Sequence, residues 1–139
     1  MRLERKGERT LVAAVQAGQQ VLASILAGCD SDFAATFEEG MQHLKRHKYS
    51  HVIIGYFFAE SHMFEFAQAV RELQPHAKVL CVKGSGCPLG DAARRGLDHA
   101  LKTLGCEAFV DLTGGEIPES ALPIFNEILR RCRAKAATL

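Results

Sequence analysis

The sequence predicts an α/β fold, a five-stranded parallel sheet with helices on both faces. Two observations predict it. Short, continuously apolar runs recur along the chain, as in strands buried on both sides. Between them the apolar spacing lengthens to the period of an amphipathic helix. This alternation gives five strand–helix units, whose economical arrangement is a parallel sheet with right-handed crossovers.

The elements follow in order. Thr10–Val15 (TLVAAV), His51–Phe57 (HVIIGYF) and Lys78–Lys83 (KVLCVK) are the clearest strands, with Asp32–Phe37 (DFAATF) and Glu107–Leu112 (EAFVDL) as the other two. Val21, Leu22, Ile25 and Leu26 make the first helical stripe, and Phe37, Met41 and Leu44 the second. Met63, Phe66, Ala67, Val70 and Leu73 make the third, starting after Ser61 as N-cap and ending before Pro75. Leu97, Leu101 and Leu104 form the fourth, closed by Gly105. Phe125, Ile128, Leu129 and Cys132 form the last, with Pro123 in its first turn near Ser120.

Composition bounds the function. The 139 residues, 47% hydrophobic and 24% charged, match one globular unit with its own core. Seventeen basic residues against sixteen acidic ones give no reason to expect nucleic acid, a membrane surface or an acidic substrate. No apolar run is long enough to cross a bilayer, and the charged start is not followed by a signal-peptide core. The five cysteines (Cys29, Cys81, Cys87, Cys106, Cys132) are odd in number and widely spaced. They read as reduced thiols, with Cys87 the more exposed, in a cytoplasmic protein.

Two stretches carry a family resemblance. YSHVIIGYFFAESHMFEFAQAVREL (Tyr49–Leu73) resembles the third strand, loop and third helix of response-regulator receiver domains, with Phe64-Glu65-Phe66 at the helix start. LKTLGCEAFV (Leu101–Val110) is similar to the family's approach to its fifth strand. The resemblance covers about residues 9–134 and implies a single flavodoxin-like (βα)5 receiver domain over 1–139, with no output domain.

In that family an acidic pair after strand one and a phosphoacceptor Asp ending strand three hold Mg²⁺, and a Lys after strand five neutralises the phosphoryl charge. Carried over residue by residue, the resemblance puts Ala14 and Val15 at the acidic pair, and Gly55 at the phosphoacceptor. A register shifted by one would place Tyr56 there. Lys83 falls at the hydroxyl position ending strand four, and Leu112 at the lysine position, followed by Thr113. Phe109 alone matches, at the switch aromatic. Asp111 and Glu60 lie nearby, yet TLVAAVQAGQQ contains no acid to rebuild strand one's pair. The resemblance therefore implies a pseudo-receiver without phosphotransfer, with no catalytic residue, cofactor or metal expected.

The expected role is signalling through a protein partner, including a homodimer through the face of helix four, strand five and helix five, around Leu97, Leu101, Phe109 and Phe125. Tyr56, Phe57, Phe58 and Met63 could add a dry patch above the strand ends. The alternatives are a phosphoaccepting receiver read in the wrong register, and a small anion or nucleotide binder. The latter would use Lys83 and Gly84, Ser85 and Gly86, in a loop (Gly84–Gly90) longer than the family's. That loop matches neither a P-loop nor a dinucleotide fingerprint. His43 and His47, four apart on one helix, have chelating spacing, but a solvated helix face is the simpler reading.

Overall fold

A computed structural model of the chain describes residues 9–26, 30–84, 86–114, 123 and 126–127. Its strands are β1 (Thr10–Ala13), β2 (Ser31–Ala34), β3 (His51–Gly55), β4 (Lys78–Lys83) and β5 (Ala108–Asp111). All pair in parallel, in the order β2-β1-β3-β4-β5. The helices are α1 (Gln16–Ile25), α2 (Phe37–Arg46), α3 (Met63–Leu73) and α4 (Asp91–Thr103). The expected last helix, with Phe125, Ile128, Leu129 and Cys132, lies outside the described residues, as do Cys29 and Ser85.

Both faces of the sheet are dry, as continuous apolar strands require. Leu11, Ala13, Val52, Ile54, Val79 and Cys81 point to one side, into a cluster with Leu44 of α2, Phe66 and Val70 of α3 and Leu101 of α4. Val12, Ile53, Leu80, Val82 and Val110 point to the other, against Leu22 of α1 and Leu26. Each large side chain fully buried here contributes about 1.5–3 kcal/mol by leaving water.

β1 and β5 end at Ala13 and Asp111, short of the expected Val15 and Leu112, and the ends of β2 and β3 also differ from the sequence expectation. Phe37 opens α2 and does not end β2. Thr36 caps the helix by accepting a hydrogen bond from the Glu39 amide (3.1 Å), while the Glu39 carboxylate reaches back to the Ala35 amide (2.8 Å). β3 stops at Gly55, short of Phe57, because the chain turns through a short helical segment, Phe58–Ser61. Ala59 and Glu60 in that segment have positive φ of 52° and 57°, a conformation costing a side-chain-bearing residue about 1–2 kcal/mol. The cap position of α3 is His62, with no side-chain cap. α4 ends as expected: Gly105 (φ 95°) is left-handed, and the amides of Gly105 and Cys106 bond the Lys102 and Leu101 carbonyls at 2.9 Å each.

Two side-chain details position the α2 layer. The Gln74 side chain, just past α3, donates to the carbonyls of Leu44 (2.9 Å) and His47 (2.7 Å) and accepts from the Tyr49 amide (2.8 Å). At Gly40 of α2 an added Cβ would stand 2.6 Å from the Phe66 ring. Gly40→Ala gains up to about 1 kcal/mol of helix propensity but overpacks a fully buried ring, which costs about 1–3 kcal/mol. A net loss of stability in urea unfolding is the expected outcome, and Phe66→Leu in the same chain should recover part of it.

Candidate functional site

The carboxyl ends of parallel strands are where open α/β sheets bind ligands. Here that edge contains Ala14 and Val15 after β1, Gly55 ending β3, Lys83 ending β4, and Asp111 ending β5 with Leu112 next. Ala14 is fully buried between two glycines: a Cβ on Gly55 would approach its Cβ at 3.1 Å, and one on Gly18 of α1 at 3.3 Å. These three small residues interlock, so β1, β3 and α1 meet with backbone-to-backbone closeness.

Charge at the edge is concentrated on two neighbouring strands. Lys83 and Asp111 are register partners, and both are buried, at 3% and 8% exposure. Lys83 donates from Nζ to the Cys87 carbonyl. Its ammonium also stands 5.5 Å from the Phe57 ring centroid and 5.9 Å from that of Tyr56, within cation–π range. The Asp111 carboxylate accepts from the amides of Leu89 (2.8 Å) and Thr113 (3.0 Å) and from the Thr113 hydroxyl. Burial alone would raise its pKa. The three hydrogen bonds and the Lys83 charge outweigh burial and hold the carboxyl below the usual carboxylate range.

The Gly84–Gly90 loop thereby acquires a structural role that the sequence did not reveal. It folds back over the strand ends: Cys87 offers its carbonyl to Lys83 and Leu89 its amide to Asp111. Gly86 (φ 84°) lies so close that a Cβ there would meet Lys83 Nζ at 3.1 Å and the Phe57 ring at 3.7 Å. Cys87 is exposed, while Cys81 and Cys106 are buried.

Other expected residues fall as follows. Phe109 is buried, its ring 6.2 Å from that of Tyr56. Leu101 is fully buried and Leu97 packs against the same core, so Leu101 and Phe109 cannot supply an exposed interface. Phe125 lies outside the described residues. Of the expected dry patch, Phe57 is exposed and Tyr56 half-buried, but Phe58 and Met63 belong to the core. A feature missed in the sequence is a largely apolar cleft of about 610 Å³ over the ends of β1, β2 and β3, with Val15, Phe37, Ala59, Glu60 and His62 among its walls. It sits by the β1–β3 switch in strand order, with the left-handed Ala59 and Glu60 in its wall.

The arrangement matches solved structures along nearly its whole length. A receiver domain protein (CheY-like) from Methanospirillum hungatei JF-1 superposes with a TM-score of 0.63 at 18% identity, covering 94% of this chain and 99% of that one. The fold is that of CheY-like receiver domains. The signal receiver domain of an HD domain-containing protein from Pseudomonas fluorescens Pf-5 gives a TM-score of 0.65 at 14% identity, covering 100% and 98%. The beryllofluoride-activated NtrC4 receiver domain dimer gives 0.63 at 17%, covering 91% and 98%. No family model and no curated protein matches the sequence. Among the described residues no helix is long and apolar enough to cross a membrane.

In this receiver fold the buried Asp111 carboxylate is held chiefly by the hydrogen bonds it accepts, with the Lys83 charge adding less. Asp111→Asn should cost about 1.5–3 kcal/mol at neutral pH by weakening the hydrogen bonds its carboxylate accepts from Leu89 and Thr113. The Asp111 pKa is depressed in the folded state, so its contribution is complete above the unfolded carboxyl value and lost as pH falls through the folded one. Urea titrations of the chain and the variant should therefore converge in acid and diverge toward neutrality.

Proposed function

We propose that the chain is a receiver-fold signalling module that acts through protein contacts without accepting a phosphoryl group. The observation that carries this reading is the Ala14–Gly55 contact. Phosphoryl acceptance needs a carboxylate nucleophile and oxygen ligands for Mg²⁺. Where the strand ends would offer them, this chain has Ala14, Val15 and Gly55, and a Cβ at residue 55 comes within 3.1 Å of Ala14. The cation at the edge, Lys83, is already engaged by the Cys87 carbonyl and two aromatic faces. In this reading Gly55, Lys83 and Leu112 are relics of a phosphorylation pocket, and Phe109 is a fixed core residue.

A second reading is a conventional phosphoaccepting receiver, favoured by the likeness to a receiver activated by beryllofluoride. The carboxylate available to it at the strand ends is Asp111, which is ionised and hydrogen-bonded on both oxygens. The two readings separate in one experiment. Full-length chain is incubated with Mg²⁺ and acetyl phosphate, or with beryllofluoride. Intact mass and melting temperature unchanged from the untreated chain are expected. A phosphoryl mass increment mapped to Asp111, absent in Asp111→Asn, would establish the second reading.

For the partner, the proposed face is that of α4 and β5. With Leu101 and Phe109 in the core, contact falls to the exposed polar side chains of α4, Arg95, His99 and Lys102. A homodimer through this face should weaken on combining Arg95→Glu with Lys102→Glu, read by sedimentation velocity.

A further inference from the structure

We propose that Asp32, His43 and His47 form a binding site for a transition-metal dication such as Zn²⁺, at the opposite end of the sheet from the strand-end pocket and independent of the function proposed above. His43 lies in the last turn of α2 and His47 is its extended C-cap residue, and their rings stack with centroids 6.4 Å apart. The fold adds what sequence spacing cannot show. Asp32 of β2 comes beside them, and a ring nitrogen of each histidine and a carboxylate oxygen of Asp32 lie within 4.8 Å of one another. Ligand atoms around tetrahedral Zn²⁺ stand about 3.4 Å apart for bonds of about 2.0–2.2 Å, so small side-chain rotations close the site. Two imidazoles and one carboxylate are the donor set of three-ligand zinc sites, with the fourth position left to water or a further ligand.

The surroundings orient these donors toward a cation. Tyr49, buried beneath them, donates its hydroxyl to Asp32 Oδ2 at 2.7 Å. Such a bond fixes a ligating carboxylate from behind. The Gln74 side chain holds the His47 carbonyl and the Tyr49 amide, so the backbone on both sides of the site is pinned.

A cation already stands there. The Arg9 guanidinium is 3.0 Å from Asp32 Oδ2 through Nε and 3.3 Å from His47 Nδ1 through a terminal nitrogen. Guanidinium has no acceptor, so the Nδ1 it faces presents its lone pair, the same lone pair a metal takes. Arg9 Nε is buried without a well-formed hydrogen bond, which makes it an imperfect occupant. The Arg9 side chain as a whole is about one-third exposed, so it has a way out to solvent. The geometry thus describes a site in which an intrinsic cation competes with an extrinsic one.

The test is Zn²⁺ titration of the full-length chain by calorimetry in a non-chelating buffer, with circular dichroism confirming the fold of each variant. Saturable one-to-one binding is expected. His43→Ala, His47→Ala and Asp32→Asn should each weaken it more than about a hundredfold, beyond the roughly 10–100-fold loss a supporting residue brings. Cys87→Ser should leave it unchanged, and Arg9→Gln should tighten it several-fold. Should His47→Ala fail to fold, His43→Ala carries the comparison. Absence of saturable binding, or binding indifferent to both histidines or abolished by Cys87→Ser, would overturn the site. An Arg9→Gln affinity equal to that of the parent chain would overturn the competition.

Discussion

Ala14 sits between Gly55 on β3 and Gly18 on α1, and the carboxyl edge of the sheet is built around that contact. A larger side chain at any of the three positions would force strand from strand or helix from sheet, since a close-packed interior absorbs added volume poorly. With the β1–β3 end closed by small residues, the edge keeps its charge on β4 and β5, where Lys83 and Asp111 each bind the folded-back loop. The apolar cleft beside Val15 lies on the other flank of the same closure.

A receiver fold does not require receiver chemistry. The sheet order, the two dry faces and the helix placement follow from apolar periodicity and crossover handedness, and none of them depends on which side chains end the strands. Those end positions are free to hold acids, small residues or a lysine. Lys83 at the end of β4 and Asp111 at the end of β5 each tie the Gly84–Gly90 loop to the sheet, through the Cys87 carbonyl and the Leu89 amide.

Much of this fold was legible in the sequence, for identifiable physical reasons. β3 and β4 announce themselves because His51–Gly55 and Lys78–Lys83 are buried on both faces and rich in branched side chains. β2 was misjudged at its end because SDFA is only partly buried, while the Thr36–Glu39 cap that assigns Phe37 to a helix was a readable signal. At the site, sequence order placed Lys83 and Asp111 near strand ends. Their partnership depends on the β4–β5 register, and the role of the loop depends on Gly86 and Leu89 folding back, which no local pattern encodes. The closeness of Ala14, Gly18 and Gly55 is tertiary as well. So is the arrival of Asp32 beside His43 and His47: the helix spacing showed two of the three donors, and the third lies on a strand.

The Gln74 side chain has a consequence for how this chain can change. It holds the Leu44 and His47 carbonyls and the Tyr49 amide, so the link from α2 into β3 is shaped by a residue on a later segment. Most surface connections accept insertions and deletions because their backbone answers to water. This one answers to a single amide of fixed reach, and one added residue would pull a peptide group off its partner. Between Leu44 and Tyr49 the chain must therefore hold its length.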